Sequence, residues 1–201
     1  MTEFDKIIGQ ERAKNRLLSS IKSFKEGGVT LSPLLCAEKG GGKTLLADAY
    51  ANELKKLGAV YMRFSSPEEF RESKEEDQWK ELMEFFTLPD KAVLFIDEFH
   101  LISYKPTRQM DKMKAAIMKA FDKNNEGKTI VLDSQTRFTF NRKQKTVILA
   151  TNFPDRLDGS GALQSRMDRI DLDNYTNGEL LEILKLMLRS EGFHHLNDGT
   201  L

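Results

Sequence analysis

Apolar residues along this chain fall into two kinds of run that alternate. Short, nearly unbroken runs at 34–36, 92–96 and 146–150 read as strands inside a sheet, and 59–64 and 169–172 read as two more. Between them, apolar residues recur at helical spacing. Leu17, Leu18 and Ile21 share one face of a helix that Gly27-Gly28 ends. A helix over 44–57 is closed by Gly58. Pro67 opens a helical stretch in which Trp79, Leu82, Met83 and Phe86 form one apolar stripe, a core face, before Pro89-Asp90 breaks it. A helix over 107–123 turns Met110, Met113, Ile117, Ala120 and Phe121 inward and stops at Asn124-Asn125-Glu126-Gly127. Segments 129–133 and 137–140 flank Ser134-Gln135-Thr136 as a hairpin. A last helix over 177–189 carries Leu180, Leu181, Leu184 and Leu188. Strands alternating with helices predict an α/β fold, a parallel sheet between two helical layers.

Two polar insertions into this pattern carry chemistry. Ala37-Glu38-Lys39-Gly40-Gly41-Gly42-Lys43-Thr44 lies between the first strand and its helix. Glycines let backbone N–H groups approach phosphate oxygens, and the helix N-terminus adds its positive end. Lys43 can reach the β- and γ-phosphates of a nucleotide, and the Thr44 hydroxyl can hold Mg²⁺. Gly40, Gly41, Gly42, Lys43, Thr44 and Leu45 are therefore candidates to bind ATP. The loop departs from the usual pattern at its first position, where Ala37 replaces glycine. Alanine tolerates positive φ poorly, so an altered first turn is expected. The second insertion is Asp97-Glu98, at the end of the strand over 92–96. Asp97 would stand behind the Mg²⁺ with Thr44, and Glu98 would polarise an attacking water. Thr151-Asn152 ends the strand over 146–150 at the same sheet edge.

Charge narrows the partners less than its zero net value suggests. The chain has 31 Lys and Arg against 31 Asp and Glu. Residues 66–100 hold 11 acids and 4 Lys or Arg, whereas residues 101–150 hold 4 acids and 11 Lys or Arg. A basic segment beside an acidic one suits a polyanion-binding face or complementary surfaces between copies, as well as plain solvated helix faces. The lone cysteine, Cys36, lies in the first strand, excludes an intrachain disulfide and fits a reducing compartment. No signal-peptide pattern and no membrane-length apolar run is seen, so a cytoplasmic location without membrane contact is expected. His194-His195 is too short a pair for a metal site.

Taken together, these motifs resemble the AAA+ ATPase family over nearly the whole chain, from about Phe4 to Gly192. The resemblance implies a three-layer nucleotide-hydrolase core over 1–173 and the start of a helical lid over 174–201. Ile7-Ile8-Gly9-Gln10 is similar to the family's linker along the adenine pocket, which makes Ile7 and Ile8 nucleotide contacts. Asn152 stands where the family has its first sensor, near the γ-phosphate. Ala162-Leu163-Gln164-Ser165-Arg166 resembles the segment that carries an arginine finger into the neighbouring subunit. Glu98, Asn152 and Arg166 are thus the implied catalytic residues, with Arg169 as the alternative finger. The implied assembly is a homo-oligomeric ring, a hexamer.

Within the family, the hairpin before the sensor strand resembles the insertion shared by the RuvB branch-migration motor and the Clp-type unfoldases. The linker, the stretch from Val93 to Leu101 and the spacing from Asn152 to Arg166 are most similar to RuvB. The run from Leu132 to Arg137 and on to Asn152 is more similar to a Clp-type module. The hairpin is shorter than RuvB's, and no Tyr-Val-Gly pore loop is present, Phe70-Arg71 being the nearest equivalent. Three readings follow: a RuvB-like motor acting on DNA, a Clp-type protein remodeller, and a clamp- or helicase-loader switch. DNA is the expected partner, with a protein partner possible through the 129–140 hairpin. The family's lid carries a second sensor arginine. Here it has room for about one helix, and Arg189 comes too early for that role. An incomplete lid is expected, either as a fragment of a longer chain or as a minimal ATPase.

Overall fold

The computed structural model describes residues 2–64, 75–88, 91–101, 108–132, 136–157 and 161–191. In chain order these contain α1 (Glu11–Lys25), β1 (Pro33–Cys36), α2 (Lys43–Lys56), β2 (Val60–Phe64), α3 (Glu75–Thr87), β3 (Ala92–Ile96), α4 (Arg108–Ala120), β4 (Thr129–Val131), β5 (Arg137–Thr139), β6 (Lys145–Thr151), β7 (Asp168–Asp171) and α5 (Asn177–Ser190). Five strands pair in the order β2-β3-β6-β1-β7, all parallel, and β4 and β5 form a separate antiparallel hairpin. The α/β architecture with a parallel sheet is as the sequence predicts.

Alternation along each strand divides the core between the two faces of the sheet. Leu34, Cys36, Leu94, Ile96, Val147 and Leu149 point one way and pack with α3, α4 and the hairpin. Leu35, Val93, Phe95, Ile148, Ala150 and Ile170 point the other way and pack with α1 and α2. Burial on both faces explains why β1, β3 and β6 read as unbroken apolar runs rather than alternating ones. Register then sets the site. Cys36 lies opposite Thr151, and Ile96 opposite Leu149, so the segments leaving β1, β3 and β6 emerge at one sheet edge.

The observed elements refine the expected ones. The apolar face of α3 is wider than the stripe read from sequence, because Phe85 is buried beside Leu82 and Phe86. β6 begins one residue early, with Lys145 buried and its Nζ donating to the Leu88 carbonyl at 2.6 Å. That bond answers the ammonium's need for an acceptor, which hydropathy alone does not register. The hairpin is held from inside. Phe138 stacks on Phe86 with ring centroids 4.3 Å apart, while Phe140 meets Phe86 and Phe121 edge-on. Thr129, Val131, Arg137 and Thr139 face outward. α5 starts in a reciprocal capping box, with Thr176 N donating to Glu179 Oε2 at 2.7 Å and Glu179 N to Thr176 Oγ1 at 3.3 Å. No α5 residue is buried, and Leu180, Leu181, Leu184, Leu186 and Met187 are exposed. Pro67, Phe70-Arg71, Pro89-Asp90, the Ser134-Gln135 turn and His194-His195 lie outside the described residues, as does the Met110 side chain.

Truncating Phe86 removes the ring that joins α3 to the hairpin. Phe86→Ala should lower unfolding stability by about 3–5 kcal/mol in a urea titration, the usual cost of emptying a buried aromatic site. A loss no larger than that of an exposed-site control would show that the hairpin does not depend on this contact.

Candidate functional site

The loop between β1 and α2 is shaped by three glycines, of which Gly40 adopts φ +85. Gly42 adopts φ +84, a left-handed conformation, and a Cβ there would come within 2.5 Å of the Tyr175 hydroxyl. Gly41 has ordinary φ, but its Cβ would lie 2.7 Å from that of Ala37. Ala37 itself is not among the residues at positive φ, so the altered first turn expected from its methyl group does not require left-handed backbone. The steric demand falls on Gly41 instead.

Lys43 opens α2 and turns back across the loop. Its Nζ donates to the carbonyls of Ala37 at 3.0 Å and Glu38 at 2.9 Å and to Asn152 Oδ1 at 2.5 Å. Burial pulls this ammonium below the usual lysine range, opposed by the carboxylates of Glu98 and Asp97. Next to it, Thr44 Oγ1 donates to Asp97 Oδ2 at 2.9 Å. A hydroxyl and a carboxylate side by side form the hard-oxygen donor set that Mg²⁺ takes, so the residues present fit that ion.

Just after β3, Glu98 adopts φ +47. Left-handed backbone at a non-glycine residue costs on the order of 1–3 kcal/mol and persists only where its surroundings impose it. Here Glu98 N donates to Asp97 Oδ1 at 2.9 Å, Phe99 N to the Ala150 carbonyl at 2.8 Å and Leu101 N to the Glu98 carbonyl at 2.9 Å. The turn brings the Glu98 carboxylate to Asn152, whose Nδ2 donates to both oxygens at 2.9 Å. Asn152 therefore joins Lys43 to Glu98. Lys39, Gly40, Gly42, Lys43, Thr44, Leu45, Glu98 and Asn152 line a cavity of about 310 Å³. Two lysines, backbone amides and an exposed Leu45 at its mouth suit a polyphosphate joined to a flatter apolar group.

Ile7, Ile8, Arg166 and Arg169 are not among the residues lining this cavity. Ile7 packs against the core on the α1–α2 side, and its carbonyl accepts from Lys14 Nζ at 2.9 Å. Ile8 is half-buried beside it. Arg166 donates to the Ala162 carbonyl at 2.7 Å and pairs with Asp122 at 3.3 Å. The Asp122 carboxyl is held below the usual range by the Asn124 backbone N–H and by that guanidinium. Arg169 binds Asp171 at 2.8 Å and Gln164 at 3.0 Å.

Three residues that were not among the sequence candidates for the site join it. The Tyr175 ring bridges the linker and the phosphate loop, since a Cβ on Gly9 or on Gly42 would meet it. Gln10 ties the linker to the end of β7, with Nε2 donating to the Asp173 carbonyl at 2.7 Å and Oε1 accepting from Asp173 N at 3.0 Å. His100 Nδ1 lies 3.3 Å from Glu98 Oε2. Gln10 closes the linker motif and His100 follows the acidic pair by two residues, whereas Tyr175 had no sequence signal. The contacts of Gln10 and Tyr175 cross more than 130 positions of chain and carry no local pattern.

The model of the ATPase family associated with various cellular activities (AAA) matches residues 33–173. The chaperone protein ClpB of Mycoplasmoides gallisepticum is 30% identical over 205 residues, covering 94% of this chain and 26% of that protein. The ATP-dependent zinc metalloprotease FtsH 2 of Salinibacter ruber is 32% identical over 206 residues, covering 94% of this chain and 28% of that protein. Among solved structures, the RuvB Holliday junction branch migration motor of Thermotoga maritima superposes with a TM-score of 0.65 at 27% identity, over 94% of this chain and 53% of that one. A P216G mutant of the same RuvB gives 0.67 at 27% identity. The chain spans about a quarter of the length of these curated relatives.

Lys43→Ala removes the cavity's most enclosed cation and also three hydrogen bonds that brace the loop. Affinity for a fluorescent ATP analogue, measured by titration, should fall by at least about tenfold, since a hydrogen bond to a charged group contributes roughly 1.5–3 kcal/mol. Unaltered affinity would mean that phosphates bind elsewhere.

Proposed function

This chain belongs to the ATPase family associated with various cellular activities and carries that family's ATP-hydrolysing core, and on that premise we propose that it couples ATP turnover to remodelling of DNA or a DNA–protein assembly. The observation that carries the hydrolytic part is the Asn152 amide joining Lys43 to Glu98. Lys43 would exchange the loop carbonyls of Ala37 and Glu38 for the β- and γ-phosphate oxygens. Glu98 would take a proton from the attacking water, with Asn152 Nδ2 holding its carboxylate. Thr44 and Asp97 would hold Mg²⁺, which when bound supplies neutralising charge at the phosphate oxygens. Gly40, Gly41, Gly42 and Leu45 would wrap the triphosphate, and Ile7 and Ile8 would border the adenine.

Arg166 is partly exposed, pairs with Asp122 and is not among the residues that line its own chain's cavity, which supports a role in the cavity of a neighbouring copy and hence a ring. Residues 174–201 would begin a lid over the nucleotide, with Tyr175 as its first contact. The DNA assignment draws on the likeness to the branch migration motor, on the hairpin ahead of β6, and on the basic run over 101–150. The hairpin's outward face would meet a protein partner. Among the described residues no helix is long and apolar enough to cross a membrane, in keeping with a cytoplasmic role. Identity to ClpB at 30% favours a second reading, remodelling of protein substrates.

Glu98→Gln keeps the side chain's shape but cannot accept a proton. It should bind ATP normally while turnover falls by about 10²–10⁴-fold. Turnover at the parent rate would remove Glu98 from the chemistry. Addition of branched DNA should raise parent turnover in a salt-sensitive way. Stimulation by unfolded protein alone would select the protein-remodelling reading instead.

A trans finger has its own signature. Arg166→Ala should bind ATP yet hydrolyse about 10³–10⁵-fold more slowly, as loss of an arginine finger does elsewhere. Mixed with Lys43→Ala, it should regain part of that activity, because some interfaces then pair an intact cavity with an intact arginine. Full activity of Arg166→Ala alone, with specific activity independent of protein concentration, would rule the arrangement out.

A further inference from the structure

Glu98 can be a useful base only if its carboxylate stays aimed. Its side chain has several rotatable bonds and is about 30% exposed, so the left-handed backbone cannot fix it alone. Asn152 supplies one restraint. The second group in contact is His100, whose Nδ1 stands 3.3 Å from Glu98 Oε2 and 3.4 Å from Thr151 Oγ1. The imidazole is buried and edge-on to Phe153, with centroids 4.9 Å apart and ring planes at 77°. Thr151 Oγ1 already accepts from Phe153 N at 3.0 Å, so the residues around the ring are themselves tied to the end of β6.

The ring's protonation follows from its neighbours. An ionised carboxylate can only accept hydrogen bonds, so a lone pair on Nδ1 facing it would be repelled. Burial holds the imidazole below its usual range, with Glu98 acting in the opposite sense. A neutral ring carries one proton, and on Nδ1 that proton would face both Glu98 Oε2 and Thr151 Oγ1.

We propose that His100 is a positioning residue for Glu98, its Nδ1–H steering the same carboxylate that Asn152 Nδ2 holds, so that the pair sets the direction in which the base meets water. This rests on the reading of Glu98 as the base. The same contact assigns a place to Phe153, which keeps the ring from turning its other edge to the carboxylate.

The test uses the full chain. His100→Ala should lower kcat by about 10- to 100-fold, the scale of a misdirected catalytic group, with KM and ATP affinity within about twofold of the parent. His100→Asn, whose Nδ2 can stand near the position of Nδ1, should recover most of that loss. In the Glu98→Gln background, His100→Ala should add nothing. Nitrogen-15 spectra of the nucleotide-free parent should show His100 as the Nδ1–H tautomer, and Glu98→Gln should shift its signals. The proposal is overturned by parent-like kcat in His100→Ala, by equal loss in His100→Ala and His100→Asn, by a further loss in the Glu98→Gln background, or by an Nε2–H tautomer. Failure of the base assignment looks different: Glu98→Gln itself would then hydrolyse ATP at the parent rate, whatever the spectra of His100 show.

Discussion

An amide has one donor end and one acceptor end, and Asn152 commits each to a group of opposite charge. Its Oδ1 receives the Lys43 ammonium and its Nδ2 faces the Glu98 carboxylate. A carboxamide suits this place better than the common polar alternatives. An aspartate would attract the lysine but repel the glutamate, and a lysine would do the reverse. The two charges stay near one another without collapsing into a direct ion pair, so both remain open to substrate. The rest of the structure can be read as what keeps this one side chain between them. β6 lies between β3 and β1 in the sheet, and Asn152 leaves it just past Thr151. A slip of one residue in either pairing would turn alternate side chains to the wrong face and break the bridge.

The core serves that register. Because both faces of β3 and β6 are dry, each strand is held by helices on two sides, and neither can slide without exposing apolar surface. The left-handed turn at Glu98 is held on this frame by the hydrogen bonds of the Glu98 and Phe99 amides to Asp97 and to β6. Strain at the acid and rigidity beneath it are two aspects of one arrangement. By contrast α5, which begins beside Tyr175 in a capping box, has no buried residue and leaves Leu180, Leu181, Leu184 and Leu186 exposed. The firm and the loosely held parts of the molecule meet at the nucleotide cavity.

The parts that local chemistry dictates could be read from the sequence. Unbroken runs such as Val93 to Ile96 announce strands covered on both faces, and Gly-Lys-Thr between a strand and a helix announces a phosphate loop whatever its exact length. Phe138 and Phe140 were legible as strand residues but not as the anchor that holds the hairpin to Phe86 and Phe121, because stacking partners lie on other elements. Lys145 was passed over as a polar strand boundary, although a carbonyl on the far side of a loop makes its burial tolerable. Gln10 is legible as the end of the linker but its bond to Asp173 is not, and Tyr175 gives no sign at all. Their partners stand at the opposite end of the chain, and a glutamine before a helix looks the same whether it faces water or Asp173. His100 lay within a recognised stretch, yet its contact with Glu98 depends on the backbone turn between them, which no propensity foretells.

The methyl group of Ala37 has a consequence for how this loop can change over evolutionary time. A side chain at position 41 would collide with it, so Gly41 is held in place by its neighbour as much as by any ligand. Drift at the two positions is therefore ordered. A lineage could gain a side chain at 41 only after losing the one at 37, and the reverse sequence of events passes through a loop that cannot close. The pair should behave as a ratchet, in which the first substitution accepted decides which later ones are open to the chain.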